Sequence, residues 1–250
     1  MSGLRLLPLG VGDAYSALRY TTSLAIEAEG AWLLIDCPHP IRKMMREASA
    51  TAGVQLDIDR ISAVALTHLH GDHCSGLEIF GYYSRFELDR ITPLLAHPTV
   101  SERLWDHCLS ASMRWSRQGP GEPPIERRFD DYFQLMPLSQ NTSVQVGPFA
   151  VRCHPTQHSI PTSAMMVHAA GRTLAYSADT PFDPALINWL ASADLIVHES
   201  TPGRMHTPYD QLAALPRDLR AKMRLIHYPD NFDLTGREIE PLHQGRIYDI

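Results

Sequence analysis

The chain has 250 residues, 44% of them hydrophobic and 20% charged, with a formal net charge of −6 and a pI near 6.1. Its apolar runs, such as "AVAL" and "AWLLI", are far too short to span a bilayer, and its first ten residues lack a signal-peptide core. The acidic balance argues against a protein that lives on nucleic-acid backbones. Cys37, Cys74, Cys108 and Cys153 form no C-x-x-C pair, which fits reduced thiols and makes a cytoplasmic location the default expectation.

In chain order, "GVGD" reads as a turn, too short for a nucleotide-binding fingerprint. Ser23 to Cys37 predicts two antiparallel strands joined by a Glu-Gly turn. "IRKMMREA" has helical spacing, and "ISAVALTH" is a short apolar run of the kind that forms a buried strand. "GLEIFGYYSRF" begins a helix whose aromatics Phe80, Tyr82, Tyr83 and Phe86 are expected to pack on a sheet. From Arg114 to Asp131 the pattern is irregular, and five of the six residues from Gly119 to Pro124 are Gly or Pro. This predicts a loop insertion at about residues 109–135, of the length that often serves as a lid. Strands follow around Gly147-Pro148, then a hairpin turning at Ala170-Gly171. "DPALINWLASA" is a helix with Asp183 as N-cap. "DLIVHES" is a strand, "YDQLAALP" a short helix and "KMRLIHY" a last buried strand. This order predicts one α/β domain over residues 1–250, with two sheets face to face and helices outside.

The densest chemistry is "LTHLHGDHCSG". A strand ending in His-x-His-x-Asp-His puts His68 and His70 on one side and lets Gly71 turn the chain, so that Asp72 and His73 reach round the other. Imidazole and carboxylate donors together suit zinc, manganese or iron. One ion does not easily take all four donors at this spacing; two ions a few ångströms apart can share them. His158, Asp179 and His227 each follow a short apolar strand and open a loop, the position where layered α/β folds build their sites. Cys74 reads as a small buried thiol under the turn, and His206 as a loop histidine capping the next helix.

"THLHGDH" followed by separate His, Asp and His resembles the metallo-β-lactamase superfamily, over nearly the whole chain. "LLIDC" looks like its strand before the metal loop, with Asp36 supporting the ligands and Pro38 where the family usually has Gly. "GRTLAYSADT" resembles the strand of the bridging aspartate, and "ADLIVHEST" the His-Glu-Ala-Thr segment of ribonuclease Z. The resemblance implies an αββα sandwich of two mixed sheets. It implies that His68, His70 and His158 hold one metal, that Asp72, His73 and His227 hold the second, and that Asp179 bridges them with a water-derived hydroxide. The ions expected are two divalent ones, zinc first, with manganese or iron as alternatives. The expected catalytic set is Asp72 with His198, the latter as proton donor to the leaving group. His70 stands where the superfamily's redox branch carries Glu, which favours hydrolysis.

Two divalent ions, less two carboxylates and one hydroxide, leave the core near +1, suited to a phosphodiester monoanion. The long tRNA-gripping arm of ribonuclease Z lies between the third histidine and the bridging aspartate; here His158 and Asp179 are 21 residues apart, which one hairpin consumes. The expected function is therefore hydrolysis of a small phosphodiester or cyclic nucleotide. The alternatives are a lactone- or ester-cleaving metallo-hydrolase and an RNA 3′-processing endonuclease. No membrane partner is expected, and a homodimer is expected by base rate and family habit.

Overall fold

The computed structural model describes residues 3–250. A seven-stranded sheet runs in the order Tyr248–Asp249, Arg5–Gly10, Ser23–Ala28, Ala31–Ile35, Ile61–Leu66, Thr92–Ala96, Phe133–Pro137. A six-stranded sheet runs Met223–Ile226, Leu195–Glu199, Arg172–Tyr176, Thr162–Ala169, Phe149–Thr156, Val144–Val146. Both are mixed: outer hairpins pair antiparallel, whereas Ala31–Ile35, Ile61–Leu66 and Thr92–Ala96 pair parallel, as do Arg172–Tyr176, Leu195–Glu199 and Met223–Ile226.

The sheets meet through alternate residues. Leu24, Ile26, Leu33, Ile35, Ala63 and Ala65 of the first form one buried cluster with Val151, Cys153, Met165, Val167, Leu174 and Val197 of the second. The opposite faces carry the helices. Ile41–Ala52 buries Ile41, Met44, Met45 and Ala48 at helical spacing against Leu34, Val64 and Leu66. Pro184–Leu190, capped by Asp183 accepting from the Ala185 N–H, packs Leu186, Ile187 and Leu190 against Ala175, Ile196 and Leu225. Period-2 burial on both strand faces and period-3.6 burial on one helix face together make the sandwich.

The hairpin of the first sheet turns at Glu29 and Gly30, both at positive φ, as a two-residue turn matched to strand twist requires. Ala170-Gly171 repeats that geometry in the second sheet, and the hairpin Thr162–Ala169/Arg172–Tyr176 fills the interval between His158 and Asp179. The expected loop insertion is smaller than its sequence suggests. Helical structure continues to Met113, and Trp115–Ser116 pairs with Ile125–Glu126 in a small hairpin. The Gly/Pro run therefore forms only the hairpin's tip. Among the described residues no helix is long and apolar enough to cross a membrane.

Candidate metal centre

All seven donors singled out in the sequence converge at the C-terminal ends of strands from both sheets. His68, His70, His158 and Asp179 form one group of facing ligand atoms, and Asp72, His73, Asp179 and His227 a second, with Asp179 common to both. In the first, His70 Nδ1 lies 3.1 Å from His68 Nε2 and 3.2 Å from His158 Nε2. Asp179 Oδ2 lies 3.9 Å from His68 Nε2 and 3.8 Å from His158 Nε2. In the second, Asp72 Oδ2 is 3.2 Å from His73 Nε2 and 3.4 Å from His227 Nε2. Asp179 presents Oδ1 to His73 Nε2 at 3.5 Å and Oδ2 to His227 Nε2 at 3.4 Å.

Each inward nitrogen is set by what the other ring nitrogen does. His68 Nδ1–H donates to Thr67 Oγ1 at 3.0 Å, and that hydroxyl donates to Asp36. His73 Nδ1–H donates to Asp36 Oδ2 at 2.8 Å. His158 Nδ1–H donates to the Met205 carbonyl at 3.2 Å, and His227 Nδ1–H to Thr201 Oγ1 at 3.1 Å. In each case Nε2 is the nitrogen turned towards the other donors, the arrangement that orients metal-binding imidazoles. Three residues here adopt left-handed backbone without being glycine: Asp36, Ala178 and His227, at φ 59°, 53° and 54°. Each stands just past a strand end, where the turn aims Asp36, the neighbouring Asp179 and His227 at the centre. Such conformations cost of order 1–3 kcal/mol each and gather at functional sites.

The donor set fits divalent metal. Four ligands held about 2.0–2.1 Å from a tetrahedral zinc lie roughly 3.3–3.4 Å apart from one another, and the spacings above bracket that value. His73 Nε2 and Asp179 Oδ1 are buried with no hydrogen-bond partner, which is costly unless a cation satisfies them. The two groups share a cavity of about 400 Å³, lined also by Tyr15, Ser159, Met205 and His206.

The sequence family agrees with this construction. The model of the family described as "Anti-Pycsar protein Apyc1" matches residues 4–243. The chain belongs to the Apyc1 family. An Apyc1 protein of Saccharibacillus brassicae is 30% identical, with the match covering 99% of this chain and 100% of that one. The fold is that of the Bacillus subtilis metallo-β-lactamase fold protein YhfI, at a TM-score of 0.75 and 15% identity over 99% of this chain and 100% of that one. A diphosphatase of the PhnP family aligns at the same TM-score, 0.75, with 16% identity, covering 99% and 98% of the two chains. This Apyc1-family chain is a metal-dependent hydrolase built on the metallo-β-lactamase fold.

Two sequence expectations change at the Apyc1-family site. His198, expected as proton donor, is fully buried. Its Nδ1–H donates to the Glu199 carbonyl at 2.8 Å, its Nε2 has no partner, and burial pushes it down to about 4. It is neutral and sealed beneath the site, because the strand carries it to the face opposite the cavity. His206, expected as a helix cap, lines the cavity instead. Its ring stacks on His227 with centroids 5.4 Å apart, and its Nδ1–H donates to Glu199 Oε1 at 2.9 Å. Glu199 is itself fixed by the backbone N–H groups of Thr180 and Thr201. Cys74 is buried as expected, its Sγ 3.5 Å from the Leu69 carbonyl and outside both donor groups. The small hairpin reaches Arg85 and Phe86, and among the described residues none of it lines the metal cavity.

The electrostatics separate the two groups. Burial holds His68, His70 and His158 below the ordinary imidazole range, so they are neutral donors at pH 7. Burial also pushes His73 and His227 down, but Asp179 acts on both, with Asp36 on His73 and Asp72 on His227, and lifts them above that range. A metal entering the second group must therefore displace protons, while one entering the first need displace few. Calorimetric titration of metal-free protein in two buffers of different ionisation enthalpy should show proton release with the second ion bound. The apparent affinity of that ion should weaken first as pH falls from about 8 towards the ordinary imidazole value of about 6.5. Equal proton release for both ions would contradict this assignment.

Proposed function

We propose that this chain is a phosphodiesterase that opens a small phosphodiester, a cyclic nucleotide above all, with two divalent ions, zinc first, at the seven-donor centre. The observation that carries the proposal is the pair of four-donor groups joined by Asp179 at a cavity of about 400 Å³, within the roughly 300–1,000 Å³ of small-molecule sites. His68, His70, His158 and Asp179 would hold one ion, and Asp72, His73, His227 and Asp179 the other. Bound there, the ions would supply a nucleophile from water near neutral pH and polarise the phosphoryl oxygens. Membership of the Apyc1 family supports the proposal, as does the short hairpin after His158, which leaves no arm for gripping a long RNA.

The protein's own groups supply the rest. A leaving alkoxide is a strong base and departs slowly unless a proton reaches it. His206 stands in the cavity with Nδ1–H tied to buried Glu199, so Nε2 is its free nitrogen. Burial lowers its proton affinity, but Glu199 outweighs this and raises it above the ordinary value, which favours the protonated ring that a proton donor needs. It is the group we assign as general acid. Thr201, Thr67 and the Met205 carbonyl keep the donor rings in register, and the low-dielectric walls strengthen each charge interaction.

The test is turnover by metal-loaded protein of cyclic CMP, cyclic UMP, cyclic AMP, cyclic GMP, bis-p-nitrophenyl phosphate and a lactone panel, with and without chelator, alongside elemental analysis. Two ions per chain and chelator-sensitive cleavage of cyclic nucleotides are expected. Lactone cleavage alone would replace the proposal with an ester-type hydrolase, and full activity in metal-free protein would overturn it.

A further inference from the structure

The rim of the metal cavity carries an aromatic side chain that the chemistry described so far leaves unused. Tyr15 lines the cavity beside His70, Asp72 and His227, yet it is 93% exposed. Single exposed aromatics are ordinary; what is unusual is how firmly this one's backbone is held. The Tyr15 N–H donates to Asp13 Oδ1 at 3.1 Å, and Asp13 is buried. The next four residues all bond one carboxylate, that of Asp230. Ser16 Oγ donates to it, the Ala17 N–H at 2.7 Å, the Leu18 N–H at 3.1 Å, and Arg19 Nη1 at 3.1 Å. Asp230 lies three residues after the metal donor His227. The Tyr15 loop is thus braced to the segment that supplies the second group. The braced backbone fixes where the Tyr15 side chain starts relative to the metal centre, so less loop freedom is lost when the ring meets a ligand.

The cavity lining also includes Met205, a partly exposed side chain whose own carbonyl accepts the hydrogen bond from His158 Nδ1–H. Both residues are therefore indexed to donors of the centre, Tyr15 to the His227 segment and Met205 to His158. An aromatic face and a polarizable thioether are good partners for a flat heterocycle. We infer that Tyr15 and Met205 form the nucleobase subsite, with the base stacked on the Tyr15 ring while its phosphodiester sits at the metal centre. This rests on the phosphodiesterase proposal and names how that site recognises its substrate. Stacking uses the π-face that every base has, so the subsite predicts tolerance between pyrimidine and purine rings, with strict dependence on a base being present.

The experiment compares cyclic nucleotides with a base-free ring, methyl riboside 3′,5′-cyclic phosphate, using wild type, Tyr15→Ala and Tyr15→Phe, all metal-loaded and checked for metal content. Base stacking is worth about 1–3 kcal/mol, or roughly 5- to 150-fold. Tyr15→Ala should lower the preference for cyclic nucleotide over base-free ring, in kcat/KM, by a factor in that range, mainly through KM. Tyr15→Phe should restore it, because the ring and not the hydroxyl makes the contact. An unchanged preference, or failure of Tyr15→Phe to restore it, would overturn the subsite while leaving the phosphodiesterase proposal intact. If wild-type protein cleaves neither substrate, the phosphodiesterase proposal falls and the subsite falls with it.

Discussion

Asp179→Ala is expected to empty both metal positions together and to abolish hydrolysis while the two sheets still form. The carboxylate belongs to both donor groups, with one oxygen facing His73 and the other facing His68, His158 and His227. Its removal leaves each group with three donors and deletes the negative charge that offsets two cations. His227→Ala, by contrast, removes a donor from only one of the two groups that share Asp179 and should leave about one ion per chain. The loss of activity in Asp179→Ala should exceed the roughly 10²–10³-fold that follows deletion of a single stabilising group, because the nucleophile and the electrostatic clamp disappear at once. Elemental analysis with circular dichroism as a folding control decides it. Retention of one ion with activity would place the bridge elsewhere.

His206→Ala should slow cleavage of a diester with an alkyl leaving group by about 10²–10⁴-fold, the usual range for a general acid, with metal content unchanged. A p-nitrophenoxide leaving group needs little protonation, so bis-p-nitrophenyl phosphate should suffer much less. Glu199→Gln should show the same substrate dependence in weaker form, since it keeps a hydrogen-bond acceptor at His206 Nδ1 and loses only the charge. If both substrates slow equally, or the ions are lost, His206 serves the metals and not the leaving group.

The parts of this site that were legible in the sequence share one property: their signal is local. His68, His70, Asp72 and His73 sit on one turn, and His158, Asp179 and His227 each end an apolar strand. Strand ends of a layered fold gather on one edge, so the pattern itself brings distant histidines together. His206 was not legible as a cavity residue because its position depends on Glu199, a partner on another element. His198 was misplaced because one residue of strand register separates the cavity side from the buried side. Thr92–Ala96 was masked by Pro93 within it and Pro98 just after it, whereas the helical run from Pro98 to Met113 was legible in principle, since Val100, Leu104, Leu109 and Met113 recur on its buried side. The left-handed turns at Asp36, Ala178 and His227 left no trace either, since glycine, the usual marker of such backbone, is absent from all three.

The division of donors between the sheets has a further consequence. The turn after Ile61–Leu66 gives two donors to each group, and the loops of the second sheet give the other two to each, Asp179 counting in both. Either half of the molecule alone offers any ion only a bidentate grip. Four-point coordination exists only when the halves are docked, so tight metal uptake reports a completed sandwich and, by reciprocity, metal strengthens the docking. The centre would in this sense act as a checkpoint on assembly: a chain with one sheet unformed should let its metal go.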